Sequence, residues 1–306
     1  MAGRIALAAA FGWLALSGPS DPDRTTVTRV DPLTVQDDDF ARHRDPADWR
    51  GLAVDRIEFR EERARWRLWR IANVRHRRGP LFFVPHDNEN AGFEAGLMLV
   101  RRYGGTLVAV DAGVAPGSDG VRLNRAVDYG KPVDPNRNFD SALPGYARHI
   151  LSNLHGGPVI ALHTNAKGFE TGDSKCNKGD PEGSGVISIR FCDDTLIPSP
   201  SQGRAYPFDD DDTVAFATFL ARQQPSDAFC RDQMVGADFN VVQERVLTSD
   251  GSLSNYAVLH GLRYLNFETL DRGLDPAELA LARDRLLFMV EHAIAMCAPE
   301  VRPLGR

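Results

Sequence analysis

No C-x-x-C pair occurs in the 306 residues, so a cysteine zinc knuckle and a thioredoxin-like redox site are both disfavoured. No G-x-S-x-G is present, and Gly183-Ser184-Gly185 lacks the strand-to-helix flanks of a nucleophile elbow, which sets aside a serine hydrolase. A glycine-rich phosphate loop and an internal repeat are absent too. Positive charge is in deficit: 36 Lys+Arg stand against 42 Asp+Glu, a net charge of −6, so no global basic field exists to hold nucleic acid. What remains is an ordinary globular composition, 42% hydrophobic and 25% charged, long enough to bury a core without metal or disulfide staples.

The apolar run Ile5 to Leu16 is too short to span a bilayer. Preceded by Arg4 and followed by small residues and Pro19, it has the order of a secretory signal peptide, with cleavage expected after Ser17. Export to the periplasm or medium, without stable membrane insertion, is the resulting expectation. Four cysteines, Cys176, Cys192, Cys230 and Cys297, are then permitted to form disulfides. Cys176 and Cys192 bracket one glycine-rich loop and are the favoured pair, leaving Cys230 and Cys297.

Residues 18–78 read as a polar leader followed by an arginine-rich extension, in which Phe59, Trp66, Trp69 and Ile71 alternate with charge. An amphipathic edge element explains that stretch better than contact with an anionic polymer such as the cell wall, because Glu58, Glu61 and Glu62 dilute it. From residue 79 to 298 the texture is α/β: apolar strands at 81–85, 106–112, 158–166 and 263–270 alternate with helical segments at 91–103, 144–155 and from Pro276 to about Met296. Gly104-Gly105 stops the first helix and Asp275 caps the last. Residues 168–207, rich in Gly, Asp, Ser and Pro, read as loops at the mouth of a site. The run Asp209–Asp212 reads as a solvated helix start, and 299–306 as a tail.

Chemistry concentrates where strands end. His86 and Glu89 follow strand 81–85 directly, and at a strand-to-helix turn an imidazole nitrogen and a carboxylate oxygen three residues apart can reach one cation. His163 ends the apolar strand IALH and completes two His and one carboxylate, a zinc set with a fourth position open to water. Glu268, in NFETL, is either the partner of an arginine or a general base. Asn136 and Arg137 stand together in a polar turn; the arginine fork suits a substrate carboxylate and the amide adds a hydrogen bond.

In this order, H-x-x-E, D-x-N-R-N-F, a strand-end His and a late strand-end Glu, the set resembles the zinc carboxypeptidase superfamily, which also holds the aspartoacylase and succinylglutamate desuccinylase deacylases. The resemblance spans about residues 80–295. It implies a single α/β domain with a mixed, mostly parallel central sheet flanked by helices, one Zn2+ on His86, Glu89 and His163, a substrate carboxylate on Asn136 and Arg137, and Glu268 as general base. It also calls for an arginine that polarises the scissile carbonyl, with Arg125 the provisional choice and Arg122 the alternative. The flexible substrate-binding tyrosine of the family would fall near Val246, so that role is vacant unless Tyr256 or Tyr264 fills it. The expected activity is hydrolysis of an amide in a peptide, with the cell wall as one source of it; the alternatives are deacylation of an N-acyl amino acid, and a non-catalytic carboxylate-binding relative.

Overall fold

The computed structural model describes residues 25–113, 120–140, 144–166, 187 and 195–305. Ten strands form one sheet: β1 Thr26–Val30, β2 Leu52–Glu61, β3 Ala64–Asn73, β4 Leu81–Val84, β5 Thr106–Val110, β6 Val159–Asn165, β7 Leu196–Ser199, β8 Val214–Leu220, β9 Val241–Val246 and β10 Tyr264–Leu270. Six α-helices accompany them: α1 Asp38–Ala41, α2 Asn90–Tyr103, α3 Pro144–Leu151, α4 Arg231–Gly236, α5 Leu253–Leu259 and α6 Pro276–Cys297. The strand order is β1-β2-β3-β5-β4-β6-β10-β8-β9-β7. The centre, β5-β4-β6-β10, is parallel, as buried apolar strands joined through helices require. The β1-β2-β3 wing joins it antiparallel at β5, and β8 pairs antiparallel with β10 while running parallel to β9. The sheet is therefore mixed, with its parallel part in the middle.

Helices cover both faces. One core gathers α2 and α6 with Phe40, Trp49, Trp69 and Phe82; the other gathers α3 and α5 with Phe59, Trp66, Leu68 and Phe83. This explains the arginine-rich stretch. It is the β2-β3 hairpin, turning at Glu62 and Arg63, and its aromatic residues are buried on both faces while the arginines pair outward, Arg70 with Asp55 at 2.8 Å and Arg67 with Asp111 at 3.2 Å. Those aromatics are core and not a contact surface. The leader is also structured from residue 25, contributing edge strand β1 and the wholly buried Phe40 of α1.

Two glycines let α2 sit where it does. A Cβ on Gly105, whose φ is +78°, would stand 2.1 Å from the Pro80 carbonyl oxygen; one on Gly92 would meet the Leu162 backbone at 3.1 Å. The helix thus ends as the sequence predicts and packs closely over β6, one residue from His163. Asp275 caps α6 by accepting from the N–H groups of Ala277 and Glu278. The Asp209–Asp212 run does not start a helix. It is a bend before β8, because the buried Arg285 of α6 draws in Asp209 and Asp210, at 2.7 and 3.1 Å, while Arg204 takes Asp211 at 2.8 Å. Cys230, before α4, is disulfide-bonded to Cys297 at the end of α6, with the α-carbons 5.5 Å apart. Closing a loop of this size contributes about 4 kcal/mol on the chain-entropy account. Cys176 and Cys192 lie outside the described residues, as do the N-terminal 24 residues and most of 168–207. Among the described residues no helix is long and apolar enough to cross a membrane.

Candidate metal centre

The carboxyl ends of the four parallel strands lie along one edge, and the sequence places its chemistry there. The β4-α2 turn carries His86, Asp87 and Glu89, folded back by the Glu89 N–H donating to the His86 carbonyl at 3.0 Å. His163 lies on β6, and in the parallel register between β6 and β10 it stands directly beside Glu268. Paired residues in a parallel ladder project to the same face, so the strand pairing itself puts these two side chains together.

His86, Glu89 and His163 are fully or nearly fully buried, and one ligand atom from each lies within 4.8 Å of the others. Nδ1 of His86 is 2.7 Å from Oε1 of Glu89, and Nδ1 of His163 is 2.9 Å from Oε2. On its far side the His86 ring meets Asp134 Oδ1 through Nε2 at 2.9 Å. If that nitrogen carries the proton, Nδ1 presents a lone pair toward a carboxylate, an arrangement that a shared proton or a cation must relieve. His163 Nε2 is buried without a hydrogen-bond partner. The donor set, two imidazoles and a carboxylate with this orphaned nitrogen beside them, fits a borderline divalent metal such as zinc.

Electrostatics within the cluster follow from this crowding. Burial alone drives the Glu89 carboxyl up, but the charges of His86 and His163 and their hydrogen bonds more than reverse it, holding Glu89 well below the usual carboxylate range. Burial disfavours the His86 imidazolium, yet Glu89 and Asp134 outweigh it and the ring titrates above its ordinary value. Asp134 is pulled down to about 2, its burial offset by the His86 hydrogen bond and charge and by the Asn136 N–H at 2.8 Å. Glu268 behaves oppositely. Burial pushes it above its ordinary range, with His163 pulling against this and the charge of Glu89 adding to it.

Around this centre opens a cleft of about 770 Å3, lined among others by Arg122, Asn136, Arg137, Glu244, Asn266 and Glu268. Asn136 and Arg137 sit on a short 3-10 turn, Pro135–Arg137, capped by Asp134. Arg137 is half exposed and its Nε faces Asp250 Oδ2 at 3.5 Å. Of the two candidate arginines, the half-exposed Arg122 lines the cleft and reaches Glu89 Oε1 at 3.1 Å, whereas the exposed Arg125 is not among the residues lining it. Tyr256 stacks on His260, Tyr264 is buried, and neither lines the cleft; Val246, Leu247 and Thr248 occupy the wall where a tyrosine was sought.

Sequence reasoning missed Asp134, although it lies inside the quoted D-x-N-R string. The available signal was the need of a ligating histidine for a carboxylate on its other nitrogen. It also missed Glu244, a partly buried acid on the cleft wall that accepts from the Thr218 hydroxyl at 3.1 Å.

No family model matches the chain, and no curated protein matches it. Among solved structures it is similar to two candidate metallopeptidases, from Shewanella amazonensis SB2B (15% identity, TM-score 0.42, covering 92% of this chain and 100% of that one) and Shewanella denitrificans OS217 (14%, TM-score 0.40, 92% and 98%). It is also similar to the apo ectoine utilization protein EutE (DoeB) of Ruegeria pomeroyi (12%, TM-score 0.37, 92% and 72%). Likeness of this degree assigns neither a family nor an activity.

Proposed function

We propose that this chain is an exported zinc-dependent amide hydrolase of the metallocarboxypeptidase kind, acting on a peptide whose free carboxylate is held by Arg137. The observation that carries this reading is the convergence of His86, Glu89 and His163 within 4.8 Å, with Glu268 in register beside His163. Zinc held by the three ligands would supply Lewis acidity at the scissile carbonyl.

The chain's own residues do the rest. Asp134 fixes the His86 ring so that Nδ1 faces the other ligands. Glu268 takes a proton from the attacking water as the new C–O bond forms and delivers it to the nitrogen as the C–N bond breaks; its raised pKa suits a group that must both accept and return a proton. Arg122, beside Glu89, adds positive charge where the carbonyl oxygen becomes anionic. Asp250 holds Arg137 through Nε, leaving its terminal nitrogens for a carboxylate, with the Asn136 amide beside them.

Metal analysis of the purified mature chain beside His163→Ala tests the centre: about one zinc per chain, lost in the variant, is expected. Hydrolysis of peptides with free and amidated C-termini, set against N-acyl amino acids, then tests the substrate. Turnover restricted to N-acyl amino acids would replace the peptidase reading with the deacylase one. N-terminal sequencing of protein recovered from the medium or periplasm tests export and cleavage after Ser17.

A further inference from the structure

The β4-α2 turn has a second side. While His86 and Glu89 face β6, Asp87 joins Asp37, the residue before α1, and Asp111, the residue after β5, and one carboxylate oxygen from each lies within 4.8 Å of the others. All three side chains are buried, at 3 to 6% exposure. Asp38 is 1% exposed, and neither of its carboxylate oxygens has a hydrogen-bond partner; the Arg42 guanidinium stands off at 3.7 Å. Its charge acts on the cluster, since Asp37 is pushed up to about 7 by burial, by Asp111 and by Asp38.

Counting charges, Asp37, Asp38, Asp39, Asp87 and Asp111 are buried against two close guanidiniums, Arg42 on Asp39 and Arg67 on Asp111. Such an excess of buried negative charge needs either protons or a cation. The oxygens are already oriented: Asp37 accepts from the N–H groups of Asp39 and Phe40 and from Trp69 Nε1 at 3.3 Å, Asp111 from the Gly113 N–H at 2.5 Å, and Asp87 from the Val121 N–H at 3.4 Å. A separate cavity of about 360 Å3, lined by Asp37, Asp111, Gln36 and Trp69 together with Arg56 and Arg67, opens beside Asp37 and Asp111.

We propose that Asp37, Asp87 and Asp111, with the charge of the buried Asp38 beside them, bind a hard divalent cation of the calcium or magnesium type that braces the turn carrying His86 and Glu89. Three converging carboxylates and no imidazole or thiolate form an all-oxygen set, which hard cations prefer and which differs in kind from the set on the other side of the turn.

Trp69 supplies the assay, because it touches Asp37. The zinc-treated full chain is titrated with Tb3+ and excited through tryptophan, then challenged with Ca2+ and with Mg2+ in separate arms to tell which ion displaces the probe at lower concentration. Saturable emission at one equivalent, kept in His163→Ala and weakened at least about tenfold in both Asp38→Asn and Asp111→Asn, is expected. Calcium or magnesium at millimolar levels should also raise the wild-type Tm by about 3 °C or more, a shift absent from the two variants. Wild-type protein that gives no saturable emission and no Tm shift overturns the site however the variants fold. So does emission that survives both substitutions, verified as folded by far-UV circular dichroism. Asn variants that are more stable than wild type in chelator, with no cation effect in wild type, would show that protons alone neutralise the cluster.

Discussion

The two sides of the β4-α2 turn differ in chemistry although they share four residues of chain. Toward β6, His86 and Glu89 meet His163, and the set mixes nitrogen and oxygen donors beside a wide cleft and a general-base candidate. Toward β5, Asp87 meets Asp37 and Asp111, oxygen only, beside a narrower cavity into which no base or substrate-binding arginine of the first site projects. A short turn at the carboxyl edge of a parallel sheet can therefore serve a reacting site and a bracing site at once, because alternate side chains leave it in opposite directions. Donor type separates them: imidazole nitrogen suits zinc, whereas clustered carboxylates suit a hard cation.

The contrast breaks most visibly at Glu268. Glu268→Gln keeps the shape of the cleft but removes the proton acceptor, so kcat should fall about 1000-fold while zinc content and Tb3+ binding stay at wild-type levels. Stopped assays with metal analysis on the same preparation check this. Full retained activity would mean that Glu268 is not the base. Next in size is Asp134→Asn, which weakens the acceptor on His86 Nε2 at 2.9 Å; zinc affinity should drop about 10- to 100-fold, with no change on the aspartate side. Competition with a chromogenic chelator measures it, and an equal loss of both ions would show that the turn responds as one unit. Arg137→Ala should raise KM about tenfold for substrates with a free carboxylate, and little for amidated ones, since charge-assisted hydrogen bonds are lost only with the former.

The two sides were unequally legible. H-x-x-E after an apolar strand, a second histidine at a strand end and a late glutamate are readable because each lies where β4, β6 and β10 stop, and strand ends follow from hydrophobic periodicity. The same periodicity located α2, α6 and the central strands to within a residue or two. Arg122 and Arg125 were indistinguishable because the contact that singles out Arg122, its reach to Glu89, is a tertiary one without a local signal. The aspartate side was invisible for a similar reason: Asp37 and Asp38 belong to a stretch that reads as polar leader, and only the packing of Phe40 against Trp49, Trp69 and Phe93 brings them under the sheet edge. The hairpin read as an edge element because burial on both sheet faces looks, in sequence, like charge alternating with aromatics.

The smallest effect concerns how the aspartate side is held. Arg42 and His43, just after α1, dock on Glu94 of α2 at 2.9 Å each, and His43 also meets Asp48 at 3.2 Å. Burial disfavours the His43 imidazolium, but the hydrogen bonds and charges of Glu94 and Asp48 outweigh it, so the ring holds its proton above the ordinary value of 6.5. The folded state then binds more protons than the unfolded one, and the stabilisation is fully present below about pH 6.5 and is lost as pH rises through the higher folded value. Urea midpoints should fall over that window in wild type and fall less in His43→Gln. The same rise in pH ionises Asp37, which titrates at about 7, and so enlarges the hard-cation Tm shift; because the His43 contact anchors the segment bearing Asp37 and Asp38 and touches neither His86 nor His163, the gain should be smaller in wild type than in His43→Gln. A Tm shift with the same pH dependence in both proteins would mean that α1 holds its carboxylates in place without this ion pair.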